Sequence, residues 1–329
     1  MSGFLTGGAR MILVLAVACI LALPLALPTY YVSVATQILI FALLAMSVDV
    51  LAGFTGRTPL CHGAIFGAST YVTIYSASIL GFPLAASLAF GVLAATALAA
   101  LFGLLAVRTS GVYFLLLTLA LGLIVWGVCL RWTQVTGGEN GIRGQLRSGI
   151  LAGPGSLYIV VAAIATILSY VMWRFVSSPF GLTLRGIRDS ESRMASLGYS
   201  VPVHLTLAFT VSGFLAGIAG ALYAVFNDFV SPSTVQLSQS VEALLMAIAG
   251  GIGTLFGSFA GAFLIIALQQ AVSAFTERWL MVLGVTFILI MIFAPEGIVG
   301  KARLMMASLS TRRRQHEKAM QTRHWSTDR

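Results

Sequence analysis

Charge is what this chain has least of: Asp, Glu, Lys and Arg together make up 9% of its 329 residues, whereas soluble domains carry about 25%. That scarcity excludes an ordinary soluble globule. With 58% hydrophobic residues and a mean hydropathy of +0.97, the chain reads as an integral membrane protein. The alternation of apolar and polar residues that marks an outer-membrane barrel is missing too, because the apolar runs are continuous. Lysine occurs only as Lys301 and Lys318, and nothing matches a phosphate-binding loop; the nearest pair, Gly300-Lys301, is followed by Ala302. The chain is therefore not expected to bind ATP itself. No GxSxG elbow or HExxH helix is present, and His62, His204, His316 and His324 are scattered. Neither nucleophilic catalysis nor a metal centre is expected, so the chain reads as no enzyme and without a cofactor. Cys19, Cys61 and Cys129 lie inside apolar runs without metal-like spacing and read as packing residues.

What is present is a series of long apolar runs. A helix needs about 20 apolar residues to cross the hydrocarbon core. Runs of that kind predict spans at Met11–Leu27, Tyr31–Leu51, Leu60–Leu80, Leu84–Val107, Gly111–Leu130, Leu157–Phe175, His204–Phe226 and Leu280–Ala294. The run from Ser240 to Ser273 is too long for one span and is broken by Gly250, Gly251, Gly253 and Gly257. It predicts a hairpin that either crosses fully or dips in and returns. The expected fold class is all-α, a polytopic transmembrane helical bundle of about 8 to 10 spans with a glycine-broken hairpin. Residues 1–300 form the transmembrane domain and 301–329 a basic tail. Residues 1–28 resemble a signal peptide, but the polar segment after them is very short, which favours a retained first span.

The net charge of +9 orients this bundle. Arg10, Arg57, Arg108, Arg174, Arg185, Arg188, Arg193 and the basic residues from Lys301 onward fall on one side. Only Arg131, Arg143, Arg147 and Arg278 fall on the other. The positive-inside rule then places both termini in the cytoplasm. From Arg312 the tail lacks an apolar period, and anionic lipid headgroups are its natural partner.

One stretch inside this apolar chain concentrates charge, Pro179 to Gly198. A single helix over Leu182–Leu197 would put Leu184, Ile187, Met194 and Leu197 on one arc and Arg185, Asp189 and Arg193 opposite at i, i+4 spacing. Glu191 alone falls within the apolar arc. Such a helix is either a solvated amphipathic connection or a patterned face offered to a partner across the membrane surface.

Polar groups inside apolar spans are costly, so each is a candidate for the transport pathway. Asp49 is the clearest, with Arg57 eight residues on as a candidate partner. Gln37, His62, Tyr71, Tyr113, Thr118, Asp228, Glu242 and Gln269 follow. Each either meets a solute or satisfies a neighbour between helices. Gly250, Gly251 and Gly253 either wall the pathway or let helices approach closely, and Gly213 with Gly217 and Gly257 with Gly261 form small-residue faces. The longest outward loop, 131–156, contains TGGENGIRG, in which Gly137, Gly138, Asn140 and Gly141 signal tight turns. Its Glu139, Asn140 and Arg143 either meet a polar solute or a delivering protein, or simply order the loop. A faint echo links LAGFTGRTPLCHGAIFGA from Leu51 with IAGGIGTLFGSFAGA from Ile248.

Taken in order, these blocks resemble the permease family of branched-chain amino-acid ABC importers, of the type of the second permease of the high-affinity leucine/isoleucine/valine system. GVYFLLLTLALG at Gly111 is similar to that family's GVYFAxxTLA, and TGGENGIRG at Thr136 to its TGGxNG loop. FGLTLRGIRDSESRMASLGYSV at Phe180 resembles FGRxLRAIRDNExAAxAxGI and is followed by a match to LAFxxSxxxAGxAGALYA at Leu207. SVEALLMAIAGGIGTLFGSFAGA at Ser240 and FAPEGIVG at Phe293 match too, so the resemblance runs from about Tyr31 to Gly300. It implies an inner-membrane subunit paired with a homologous permease, two ATP-binding subunits that bind the ATP, and a periplasmic solute-binding protein. It further implies that residues 179–198 are the coupling helix that docks on the ATPase, with Arg185, Arg188, Asp189, Glu191, Ala195 and Gly198 at matching positions. The cargo implied is a branched-chain or related small amino acid.

Around the third expected span the chain departs from the family's GxxSLGHAAFFGxGAY: GRTPLCHGAIFGASTY places Arg57, Thr58, Pro59 and Cys61 at variant positions. That departure puts the cargo in question more than the fold. Two other readings stay open. One is the same architecture importing urea or short amides, against which the TGGENG form counts. The other is a self-contained secondary transporter in which Asp49 or Glu242 relays a proton or ion.

Overall fold

The computed structural model describes residues 27–147, 149–273 and 279–293 together with positions 24, 297 and 300. Most of the expected first span, Met11–Leu27, and the tail from Lys301 lie outside the described residues. The helices are α1 (Thr29–Phe54), α2 (His62–Ser78), α3 (Leu84–Ala106), α4 (Gly111–Arg131), the single turn α5 (Thr133–Thr136), α6 (Pro154–Val176), α7 (Pro179–Asp189), α8 (Glu191–Ser196), α9 (Val201–Asn227), α10 (Leu237–Gly250), α11 (Gly257–Ser273) and α12 (Trp279–Phe293).

Their limits follow local chemistry. Proline opens α6 and α7 in the first turn, where its missing N–H and fixed φ cost nothing. Pro28 and Pro83 stand just before α1 and α3. The chain turns left-handed at Gly137 after α5 and at Gly198 beyond α8, the conformation glycine adopts without a Cβ clash.

Five of the helices, α1, α3, α4, α6 and α9, are long and apolar enough to cross a membrane. The described chain is thus an all-α, multi-spanning helical bundle. The most apolar window of α1 is 72% buried and that of α9 67%, against 28% for α3 and for α4, which makes α1 and α9 the centre. Leu93 and Leu104 of α3 and Leu116 and Ile124 of α4 face outward, an apolar surface suited to lipid.

Because lipid tails are as apolar as leucine, burial alone does not drive these helices together, and close contact between small residues does. Gly213 and Gly217 of α9 lie directly on Ala99 and Ala95 of α3, where any added Cβ would collide. Hydroxyl groups join α2 to α9 as well: Ser69 Oγ donates to the Gly217 carbonyl at 2.7 Å and Thr70 Oγ1 to that of Gly220 at 2.9 Å.

The long loop 131–156 returns to the C-terminal end of α9. There β1 (Ile142–Arg143) pairs antiparallel with β2 (Phe229–Val230), Ile142 opposite Val230. The other end of α9 follows α7 and α8. With 27 residues, α9 is about 40 Å long, so these two features occupy opposite ends of the bundle.

The charged stretch differs from the single helix expected over Leu182–Leu197. Ser190, extended at φ −165° and ψ 105°, ends α7 and caps α8, its Oγ accepting from Arg193 N at 3.3 Å. A serine side chain competes for the N–H groups that would continue the helix, and here it splits one helix into two. The apolar arc breaks with it: Leu184 and Ile187 are buried and Met194 half-buried, while Leu197 is 68% exposed.

Candidate functional site

The expected coupling residues and several expected pathway residues converge on one end of the bundle, around the short connection from Gly53 to Arg57. Asp49, in the last turns of α1, is 1% exposed. Its Oδ1 accepts from Gly253 N at 2.6 Å and its Oδ2 from Leu255 N at 2.9 Å. A carboxylate buried at this depth needs hydrogen-bond partners, and the turn between α10 and α11 supplies them from its backbone. Gly53 and Gly253 meet so closely that a Cβ on Gly53 would overlap both Gly253 and the Asp49 carboxylate. The two stretches linked by the faint sequence echo are thus both helix–turn–helix connections, and their turns pack on each other.

Arg57, considered from sequence as the partner of Asp49, pairs elsewhere. Its side chain is 7% exposed, and its Nη2 reaches Glu191 Oε1 at 2.8 Å. Its Nη1 donates to the carbonyls of Val107 at 2.9 Å and Thr109 at 2.6 Å, just past the end of α3. The guanidinium also lies 5.5 Å from the centre of the Phe114 ring on α4. The correction has a geometric cause: Asp49 points from α1 toward the 253–255 turn, whereas the chain has left α1 at Gly56 before it reaches Arg57.

The charged segment closes over this connection. Arg185 lies 5.1 Å from the Phe54 ring centre. Arg188 donates from Nη1 to the Gly53 carbonyl, and its stem crosses Gly56. Asp189 and Ala195 are exposed, and Gly198, at φ +88°, turns the chain into α9 in open space.

The remaining expected pathway residues are dispersed. His62 is fully buried, its Nε2 2.6 Å from Ser212 Oγ, which itself donates to the Ser47 carbonyl at 2.5 Å. Thr118, also buried, accepts from Leu60 N at 3.1 Å. Gln37 and Glu242 are half-buried, while Tyr113 is 77% exposed on the outer face of α4. Gly250 packs against Gly257 across the α10–α11 turn. Gly251 and Gly253 both have positive φ, so the turn uses glycine freedom where it meets α1.

At the opposite end Gly137, Gly138 and Gly141 all take positive φ and fold the long loop back on itself, with Asn140 exposed. Asp228 belongs to this end rather than to a span interior. Its carbonyl accepts from Gly144 N at 2.8 Å and its Oδ1 from Leu146 N at 2.9 Å. Arg143, Gly144, Asn227, Asp228 and Phe229 line an open cleft of about 300 Å³ beside it.

Sequence reading missed Gly53, Ser212, Ser240, Val107 and Thr109. Ser240, whose Oγ accepts from Gly63 N at 2.9 Å, is a small polar residue in an apolar run, a signal that could have marked it. The carbonyls of Val107 and Thr109 carry no side-chain signal at all. Among the described residues no group of three or more His, Cys, Asp or Glu could hold a metal ion.

Residues 30–291 match the family described as branched-chain amino acid transport system, permease component. The chain is 30% identical over 303 residues to the high-affinity branched-chain amino acid transport system permease protein LivM of Salmonella typhimurium, covering 83% of this chain and 70% of that one. LivM of Escherichia coli is 29% identical over 302 residues with the same coverage. The autoinducer 2 import system permease protein LsrC of Klebsiella pneumoniae is 29% identical over 161 residues, 45% of this chain and 44% of that one. No solved structure matches at a significant level.

Proposed function

The chain belongs to the branched-chain amino acid transport system permease family, and from that premise we propose that it carries branched-chain or related small amino acids, driven by ATP-binding subunits that push on residues 179–198. As a family member it is a multi-pass inner-membrane permease subunit of an ABC importer and not an enzyme. In this reading it pairs with a homologous permease, receives its cargo from a periplasmic binding protein at the β1–β2 end, and keeps both termini in the cytoplasm. The spans number about 8 to 10, with α10 and α11 as a glycine-broken hairpin.

The observation that carries the mechanism is the attachment of the charged segment to helix ends. Arg188 holds the end of α1 at Gly53, and Arg57 connects Glu191 to the carbonyls after α3. A push on α7 and α8 is therefore delivered to helices that cross the membrane. Coupling requires that these contacts differ in free energy between inward-open and outward-open states. Both oxygens of Asp49 are already bonded to backbone N–H groups. That occupancy weighs against Asp49, one of the two carboxylates a secondary transporter could use as an ion relay, and leaves Glu242 as the other.

Copurification from detergent with mass identification of partners, followed by vesicle uptake of labelled leucine against urea, tests the reading. ATP-binding subunits in the complex and ATP-dependent leucine uptake are expected. Uptake of urea alone would reassign the cargo, and ion-driven transport without ATPase partners would overturn the mechanism.

A further inference from the structure

The charged segment is two helices joined at an extended residue, Ser190, and the two are fastened to different parts of the bundle. The cations of α7 work on the end of α1: Arg185 over Phe54, Arg188 on the Gly53 carbonyl and alongside Gly253. The second helix, α8, buries none of its residues. Its inward contacts reach Ile187 of α7, Leu205 of α9 and, through Val107 and Arg57, the residues just past α3. Met194 packs on the cluster of Val107, Ile187 and Leu205. Glu191 meets Arg57, which holds the Val107 and Thr109 carbonyls. Ile187 of α7 shares that cluster, so the two helices are joined there and separately anchored elsewhere.

We propose that Arg57 is a positioning residue that carries load from α8 to the end of α3, so that the segment drives two helix ends, α1 through α7 and α3 through Glu191 and Arg57. Glu191 then acts inward, through Arg57, and is not the group that grips the ATP-binding subunit. This rests on the reading that ATP-binding subunits meet residues 179–198. The arrangement suits arginine in particular. Its planar fork bonds two carbonyls from one nitrogen and a carboxylate from the other, which a lysine cannot do at one time.

The test uses the complete transporter reconstituted in vesicles, with E191Q, R57Q, R57K and the double variant R57Q/E191Q. Two readouts are taken: the ATP-binding subunits recovered per permease, and cargo-stimulated ATP hydrolysis. Each single glutamine variant is expected to keep its ATP-binding subunits and lose about tenfold in stimulation, with R57K intermediate and the double variant no worse than R57Q. Multiplied losses in the double variant, or full stimulation in E191Q, would overturn the proposal. So would loss of the ATP-binding subunits from E191Q, because Glu191 would then be a gripping residue. E191Q changes a half-exposed side chain and keeps the test decisive even where R57Q does not insert. A wild-type chain that recovers no ATP-binding subunits would instead sink the functional reading on which the proposal rests.

Discussion

The two ends of the bundle use the same device in different settings. At one end Arg57 caps the carbonyls after α3, lies 5.5 Å from the Phe114 ring centre and pairs with Glu191 at 2.8 Å. At the other Arg147 caps the carbonyls of Val225 and Phe226 at the end of α9, lies 5.8 Å from the Phe226 ring centre and approaches Asp228 at 3.7 Å. A cation at a helix C-terminus answers both the unpaired carbonyls and the helix dipole. The difference lies in burial and in the origin of the carboxylate. Arg57 is 7% exposed and Arg147 37%. Asp228 follows directly on the helix that Arg147 caps, so that contact fastens a loop. Glu191 comes from a segment 134 positions away from Arg57, so that contact can transmit a displacement between separate elements.

The largest expected effect lies beneath the Arg57 end. Asp49→Ala leaves the backbone N–H groups of Gly253, part-buried, and Leu255, buried, without acceptors, a cost of about 2–4 kcal/mol. Thermal unfolding in detergent should show a large loss, with Asp49→Asn milder because its amide offers one acceptor oxygen; an unchanged melting point would mean that the turn at Gly253 is not held by Asp49. Next, R57A should cost about 2–3 kcal/mol, since several charge-assisted bonds go at once. R147A, more exposed and with a longer ion pair, should cost about 1 kcal/mol or less. Equal losses in the two variants would erase the distinction between the ends.

Smaller still is the stability effect of E191Q, below about 1 kcal/mol for a pair whose carboxylate is half-exposed and whose amide replacement keeps an acceptor oxygen, although transport should fall steeply. A stability loss as large as that of R57A would make Glu191 a structural support. Deleting residues 312–329 should leave uptake of labelled leucine nearly unchanged, and a marked loss would show that the tail takes part.

The limits of the five long helices were readable because hydropathy and proline and glycine punctuation act locally, whereas the expected span Leu60–Leu80 is a helix of 17 residues, His62–Ser78, outside those five. Leu84–Val107 and Gly111–Leu130 differ from α3 and α4 by one residue each. The family was readable from ordered motifs. The break at Ser190 was harder to see, since its apolar and charged arcs follow helical spacing and only the serine competes with the helix. The partner of Asp49 was not visible. Arg57 is near it in sequence, and the groups that satisfy it are backbone N–H groups more than 200 positions away.

By itself the sequence determined the membrane class, the approximate limits of the five helices long enough to cross, the absence of a phosphate loop and the membership of the permease family. These follow from properties that sum along the chain or from residue identities at fixed spacing. Tertiary structure alone decided that Asp49 closes a glycine turn, that the charged segment is two helices, and that Arg57 joins Glu191 to the end of α3. A buried charge takes whichever donors and acceptors packing brings within about 3 Å, and backbone groups supplied by a distant turn leave no mark on sequence spacing.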